Sequence, residues 1–168
     1  MAHLERSAKE MKSVFWLIQD SVAGRPGPKN APWVLTDIRA AGFDTVLNLS
    51  GHEPDYPAFE LAGLQAAWIP LPSEIPPTED SEIRCQEALP RAYDFLAAQI
   101  DAGRRVLVHC FSGRDRTGLL FAFLLARRDG LPAREAILKV REVRPSAMTA
   151  AGWEDLAMRI IPRLISKV

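Results

Sequence analysis

The chain has 168 residues, enough for one domain with a sizeable core. Its 21 basic and 21 acidic residues cancel, so bulk charge gives no reason to expect nucleic acid or an anionic membrane surface as a partner. At 48% hydrophobic and 25% charged residues it is globular rather than disordered, and its longest apolar run, Leu119–Ala126, falls far short of the roughly 20 residues that span a bilayer.

Residues 1–13 read as an N-terminal extension of a single domain over 1–168. The start, MAHLERSAKEMK, has mixed charge and no apolar stretch, so it is not a secretory signal. Cys85 and Cys110 make no disulfide framework and suit a reducing compartment, so a cytoplasmic location is expected.

Phe15–Ile18 reads as an edge strand, followed by a Pro/Gly-rich loop, Arg25–Pro32. Asn30 is placed to cap a helix that runs through Ala41 and closes at Gly42. Thr45–Leu49 reads as a strand, Tyr56–Ala62 as a short helix and Ala66–Leu71 as a strand, with a proline-rich loop, Pro72–Pro77, after it. A long helix is expected from Ser81 to Ala102, because Cys85, Ala88, Leu89, Ala92 and Leu96 recur at the helical period. Pro90 inside it predicts a kink or a division into two. Cys85 lies on the apolar face and is expected to be a core thiol. Arg105–His109 is a strand, and Leu119–Ala126 belongs to a helix that is apolar all round and therefore buried. Ala133–Arg144 is an amphipathic helix stopped by Pro145. The last helix runs from Ala150 to Ile165, with Thr149 as its cap and Pro162 near its end. Strands alternate with helices, so the fold class is α/β, a central, largely parallel, twisted sheet flanked by helices.

The richest segment joins the Arg105–His109 strand to the buried helix: His109–Gly118, HCFSGRDRTG, with five residues between Cys110 and Arg116. A Gly-containing loop running from a strand into a helix N-terminus suits a tetrahedral oxyanion, since its backbone N–H groups turn inward and the helix dipole adds positive charge. Its place at the carboxyl end of a strand is where open α/β sheets bind ligands. The spacing lets Phe111, Ser112, Gly113, Arg114 and Asp115 wrap a phosphate whose outer oxygens the Arg116 guanidinium grips with two prongs. The Cys110 sulfur then sits beneath the phosphorus, and the same positive field favours the thiolate nucleophile. His109 is expected to hydrogen-bond the loop backbone rather than act as a base. Thr117 has two readings that can hold together: a hydroxyl donor to the thiolate, or the cap of the following helix.

The loop resembles that of the cysteine-dependent protein tyrosine phosphatases. With the later stretch Gly130–Pro145 and the upstream Ala23–Pro26, Thr45–Leu49 and Trp68–Pro77, the likeness to small dual-specificity phosphatases covers Phe15–Leu164. Asp115 before Arg116 is closest to bacterial phosphatases with a GKDRTG loop, Arg114 standing for the lysine, and myotubularin-type lipid phosphatases share the Asp–Arg–Thr run. The resemblance implies hydrolysis of phosphomonoesters, phosphotyrosine and with it phosphoserine or phosphothreonine in proteins, through a cysteinyl-phosphate. A phosphoinositide or other non-protein ester is the alternative, which Arg114 favours as an extra loop cation. A weakly active phosphate-binding module is the second alternative. No metal or other cofactor is expected, since His3, His52 and His109 have no ligand-like spacing to a second cysteine. The sequence does not name the oligomeric state.

The family's general acid is an Asp in the loop before the long helix. Aligning Ile69–Pro77 to that pattern puts Ser73 in its place. The resemblance to lipid phosphatases points to Asp115 as the acid. Glu74, Glu79 and Asp80 are the alternatives on the neighbouring segment, and an ion pair with Arg114 or Arg116 is the structural reading of Asp115. Related phosphatases position the hydrolytic water from the segment that is Thr149–Glu154 here, where only Thr149 or Glu154 has a suitable side chain.

Overall fold

Short strands whose side chains alternate between two apolar layers form the centre of the protein, which a computed structural model describes over residues 11–167. His3 and most of the 1–13 extension lie outside the described residues. Strands β1 (Phe15–Ile18), β2 (Val22–Arg25), β3 (Thr45–Asn48), β4 (Gln65–Trp68) and β5 (Val106–His109) make one sheet in the order β1-β2-β5-β3-β4. All pairs are parallel except the β1–β2 edge. The period of two is visible on β5: Val106 and Val108 enter the larger core, while Leu107 enters the smaller one.

The smaller core lies under α1 (Leu35–Ala40) and α2 (Tyr56–Leu61), through Ile38 and Phe59. The larger lies under α3 (Glu79–Asp101), α4 (Asp115–Asp129), α5 (Ala133–Val143) and α6 (Trp153–Ser166). Helix α4 is at its middle, with every residue from Thr117 to Ala126 buried, as a helix apolar all round must be. Each such Leu or Phe is worth about 1.5–3 kcal/mol of burial. This packing fixes the axis of α4, and so the direction in which its N-terminus points.

Several boundaries differ from the sequence reading. Strand β2 occupies Val22–Gly24, to which the sequence reading gave no element, and Arg25, expected as the start of a loop. Helix α1 starts at Leu35 with Val34 as its cap, and Asn30 caps nothing: its N–H closes a turn on the Gly27 carbonyl at 3.1 Å. Helix α3 starts two residues early, at a capping box formed by Thr78 and Ser81, and runs through Pro90 as one element. Buried Cys85, Ala88 and Leu89 before the proline and Ala92 and Leu96 after it hold both halves to the same core. Helix α6 starts at Trp153. Its cap is Gly152 in the left-handed region (φ 84°), and Thr149 instead donates its hydroxyl to the Ser146 carbonyl at 2.7 Å. Cys85 is a core thiol whose pKa burial pushes up to about 12. No helix among the described residues is long and apolar enough to cross a membrane.

Candidate active site

The loop from Cys110 to Arg116 leaves the carboxyl end of β5, the central strand, and enters α4 at Asp115. Its shape is set from outside. The Phe111 carbonyl accepts the Gly27 N–H at 2.9 Å. The Ser112 and Gly113 carbonyls accept Nη2 and Nε of Arg144 at 2.7 and 3.2 Å. With these carbonyls engaged outside the loop, the Gly113 N–H turns inward onto the Cys110 sulfur, as an N–H does in loops that receive an anion. Gly113 is required: its φ is 70°, and a Cβ there would lie 2.8 Å from the Arg25 carbonyl carbon.

Cys110 Sγ receives the Gly113 N–H at 3.2 Å and the Thr117 hydroxyl at 3.1 Å. Two donors converge on one buried sulfur. Thr117 thus has the first of its two expected places. It caps nothing, because α4 is capped by Arg114 without a side-chain bond. His109 Nδ1 donates to the Cys110 carbonyl at 3.1 Å, as anticipated for a residue that holds the backbone. Burial pushes the His109 pKa down to about 4, against the pull of that hydrogen bond. The charges of Arg25 and Arg116 push the same way as burial, so the ring is neutral at neutral pH.

A cavity of about 390 Å³ opens above the sulfur, lined by Cys110, Ser112, Asp115 and Arg116 from the loop and by Ser73 and Trp153 from the neighbouring segments. Phe111 is half-exposed on its wall, and Arg114, exposed, is not among its lining residues. Ser73 therefore stands at the cavity where the family pattern puts its acid, but carries no ionisable group. The three alternative carboxylates are elsewhere. Glu74 and Asp80 both pair with Arg84 on the exposed start of α3, and Glu79 is exposed beside them. Glu74 is held below the usual carboxylate range first by its own backbone N–H, against desolvation, with the Arg84 charge adding to the pull. Asp115 is half-buried, and desolvation pushes its pKa up against the Ala150 N–H (3.4 Å) and the charges of Arg114 and Arg116. It forms no ion pair among the described residues. Glu154 is bound to Arg141 at 2.8 Å and Thr149 to Ser146, and neither lines this cavity. Among the described residues no three His, Cys, Asp or Glu side chains form a group that could hold a metal ion.

Two arginines were not anticipated. Arg144 fastens the loop across more than thirty residues of sequence. Arg25 pairs in register with His109, and only 4% of it is exposed. Its Nη2 donates to the Ala31 carbonyl at 2.9 Å and its guanidinium lies 5.1 Å over Trp33, whose ring stands perpendicular to that of His109 with centroids 4.8 Å apart. Nε and Nη1 are buried without a partner among the described residues. A buried charge lacking full compensation is expensive. Arg25→Met, similar in volume and uncharged, should therefore raise the urea midpoint and stabilise the fold by about 1 kcal/mol or more. A loss of stability in that variant would show that the charge is well compensated.

The geometry can hold an oxyanion, set a sulfur against it and offer a proton from its rim. The family model for the dual specificity phosphatase catalytic domain matches residues 29–156. Dual specificity protein phosphatase 12 of Homo sapiens is 29% identical over 117 residues, covering 70% of this chain and 33% of its own. The chain thus spans about a third of the length of this relative and of its mouse and rat counterparts. Among solved structures, Tk-PTP in its active form is similar at a TM-score of 0.73 and 23% identity, over 94% of this chain and 99% of that one. PTPMT1 in complex with PI(5)P is similar at a TM-score of 0.72 and 14% identity, over 93% and 99%. At these identities the two structures are alike in fold.

Proposed function

The chain belongs to the dual-specificity phosphatase family, and from that premise we propose that it hydrolyses phosphomonoesters of proteins, phosphotyrosine first, through a cysteinyl-phosphate on Cys110. The observation that carries the reading is the double hydrogen bond from Gly113 and Thr117 to the Cys110 sulfur, at the floor of a cavity lined by Arg116 and Asp115. The thiolate attacks phosphorus and the P–O ester bond breaks. The leaving oxygen takes a proton, which we assign to Asp115. Water then attacks the cysteinyl-phosphate, the P–S bond breaks, Asp115 takes a proton from the water, and thiolate and inorganic phosphate are regenerated. Arg116 grips two equatorial oxygens, where charge builds in the transition state. His109 and Arg144 hold the loop in shape. Both cysteines are free thiols, which suits a reducing compartment and a cytoplasmic location.

A phosphoinositide substrate is the second reading, favoured by the exposed cation of Arg114, next in sequence to the cavity-lining Asp115. One experiment separates the two and tests the chemistry. Phosphotyrosine and phosphoserine peptides and a water-soluble phosphoinositide are compared for phosphate release, and a turnover mixture is quenched in acid and digested. Release should be fastest from the phosphotyrosine peptide, and the fragment containing Cys110 should carry one phosphoryl group. Faster release from the phosphoinositide would reverse the substrate reading. Turnover without an adduct on Cys110 would overturn the mechanism.

A further inference from the structure

Beside the cavity over the Cys110 sulfur lies a second chamber of about 280 Å³. The two share Ser50, His52, Cys110 and Phe111, so they are compartments of one cleft, divided by the half-exposed Phe111 ring. Phosphate chemistry gives the second chamber nothing to do, since its walls are chiefly Trp33, Leu35, Phe59 and Phe111. They are held firmly: the Trp33 ring packs perpendicular to those of Phe59 and His109, with centroids 6.3 and 4.8 Å away. The segment before Trp33 presses on the phosphate loop. A Cβ at Gly27 would lie 2.2 Å from the Cys110 carbonyl oxygen, and the Gly27 N–H is the one bonded to Phe111. A group seated in this chamber is therefore one side chain away from a phosphoryl group seated over the sulfur.

The rim says what kind of group that is. Lys29 reaches across the mouth, its Nζ 3.4 Å from His52 Nε2, while Glu53 and Asp55 stand on the same rim. One lysine against two carboxylates repels a second phosphate, and the polar side chains in the wall are already engaged, Asn48 with Ser50 and the His52 carbonyl and His109 with the Cys110 carbonyl, which leaves little for a polyhydroxylated ring. An uncharged apolar body loses nothing there and gains burial, and edge-on contact with Trp33 and Phe59 favours an aromatic one.

We infer that this chamber is a substrate subsite that takes an apolar, best aromatic, side chain next to the phosphorylated residue of a peptide. The inference rests on the phosphatase reading above and names which phosphopeptides that site prefers. An apolar pocket of this kind discriminates by about tenfold or more between a substrate that fills it and one that does not. The test is a series of phosphotyrosine peptides alike except for the residue flanking the phosphotyrosine on either side, which is Phe, Leu, Ser or Glu. It includes phosphotyrosine itself and a water-soluble phosphoinositide carrying a second phosphate. On one of the two sides kcat/KM should fall in the order Phe, Leu, Ser, Glu, with about tenfold or more between Phe and Ser. Leu35→Asp, which puts a charge in the chamber wall away from the sulfur, should erase that order while turning over phosphotyrosine itself as the wild type does. If that variant does not fold, the wild-type series decides alone. Rates that ignore the neighbour on both sides, or a phosphoinositide turned over faster than every peptide, would overturn the subsite. If no ester in the series is hydrolysed, the phosphatase reading falls first and the subsite with it.

Discussion

Cys110→Ser is expected to lose turnover by at least about 10⁴-fold while still binding a phosphotyrosine peptide. The size of the loss follows from removing the atom that bonds to phosphorus, which no other group in the cavity can replace. Retention of binding follows from what the substitution leaves. The loop keeps its shape, because the carbonyls of Phe111, Ser112 and Gly113 remain tied to Gly27 and Arg144. Arg116 still lines the cavity. The serine hydroxyl is of similar shape and can take the Gly113 and Thr117 hydrogen bonds, but at neutral pH it is not ionised. Two measurements check this: steady-state turnover of an aryl phosphate, and calorimetric titration of the variant with the intact phosphopeptide. Activity within tenfold of wild type would remove Cys110 from the chemistry. Loss of binding together with turnover would mean that the sulfur shapes the loop rather than attacking from it.

What could be read in the sequence was what is local. Strand β5, a loop with glycine at Gly113 and an all-apolar helix are contiguous, and each constrains its own backbone, so the order strand, loop and helix around Cys110 was legible. So was the α/β alternation that puts β5 in the middle of the sheet. Strand β2 was not, because Val22–Arg25 is too short to show a period and contains Gly24; it is a strand because β5 and β1 pair with it from either side. The start of α1 was misplaced because Asn30 is a good cap by type, while Gly27 and Pro32 shape a turn and an extended stretch that delay the helix to Leu35. Arg144 and Arg25 carry no local mark at all. One reaches the loop over 31 and 32 residues of separation, and the other is buried under Trp33. The acid lies between these cases. The sequence shows Ser73 where the family has a carboxylate. Which of four carboxylates stands near the sulfur depends on how α3 and α4 are placed by their cores.

That placement favours Asp115, and Asp115→Asn should show it in the kind of loss as much as in its size. Asp115 opens α4 on the rim of the cavity, half-buried, with desolvation pushing its pKa up. A bound phosphate dianion pushes it the same way, so with substrate in place the carboxyl holds its proton to higher pH than an ordinary Asp. Only the protonated form can donate to the leaving oxygen. Activity limited by that donation therefore falls as pH rises through the Asp115 pKa, and this basic limb should vanish in the variant. The asparagine keeps the shape and the acceptor for the Ala150 N–H but has no acidic proton. Phenol departing from phosphotyrosine has a pKa near ~10 and needs a proton, so turnover of a phosphotyrosine peptide should drop about 10²- to 10⁴-fold, the usual worth of a general acid. An activated nitrophenyl phosphate, whose leaving group departs as an anion, should drop much less. Glu74→Gln, Glu79→Gln and Asp80→Asn are the controls. Glu74 and Asp80 are engaged by Arg84 on the outside of α3, and none of the three lines the cavity, so each should cost less than about threefold on either substrate, as a loss outside the chemistry does. An equal loss on both substrates in Asp115→Asn, with leaving-group dependence in one of the controls, would move the acid to the start of α3 and leave Asp115 as the anchor of Ala150.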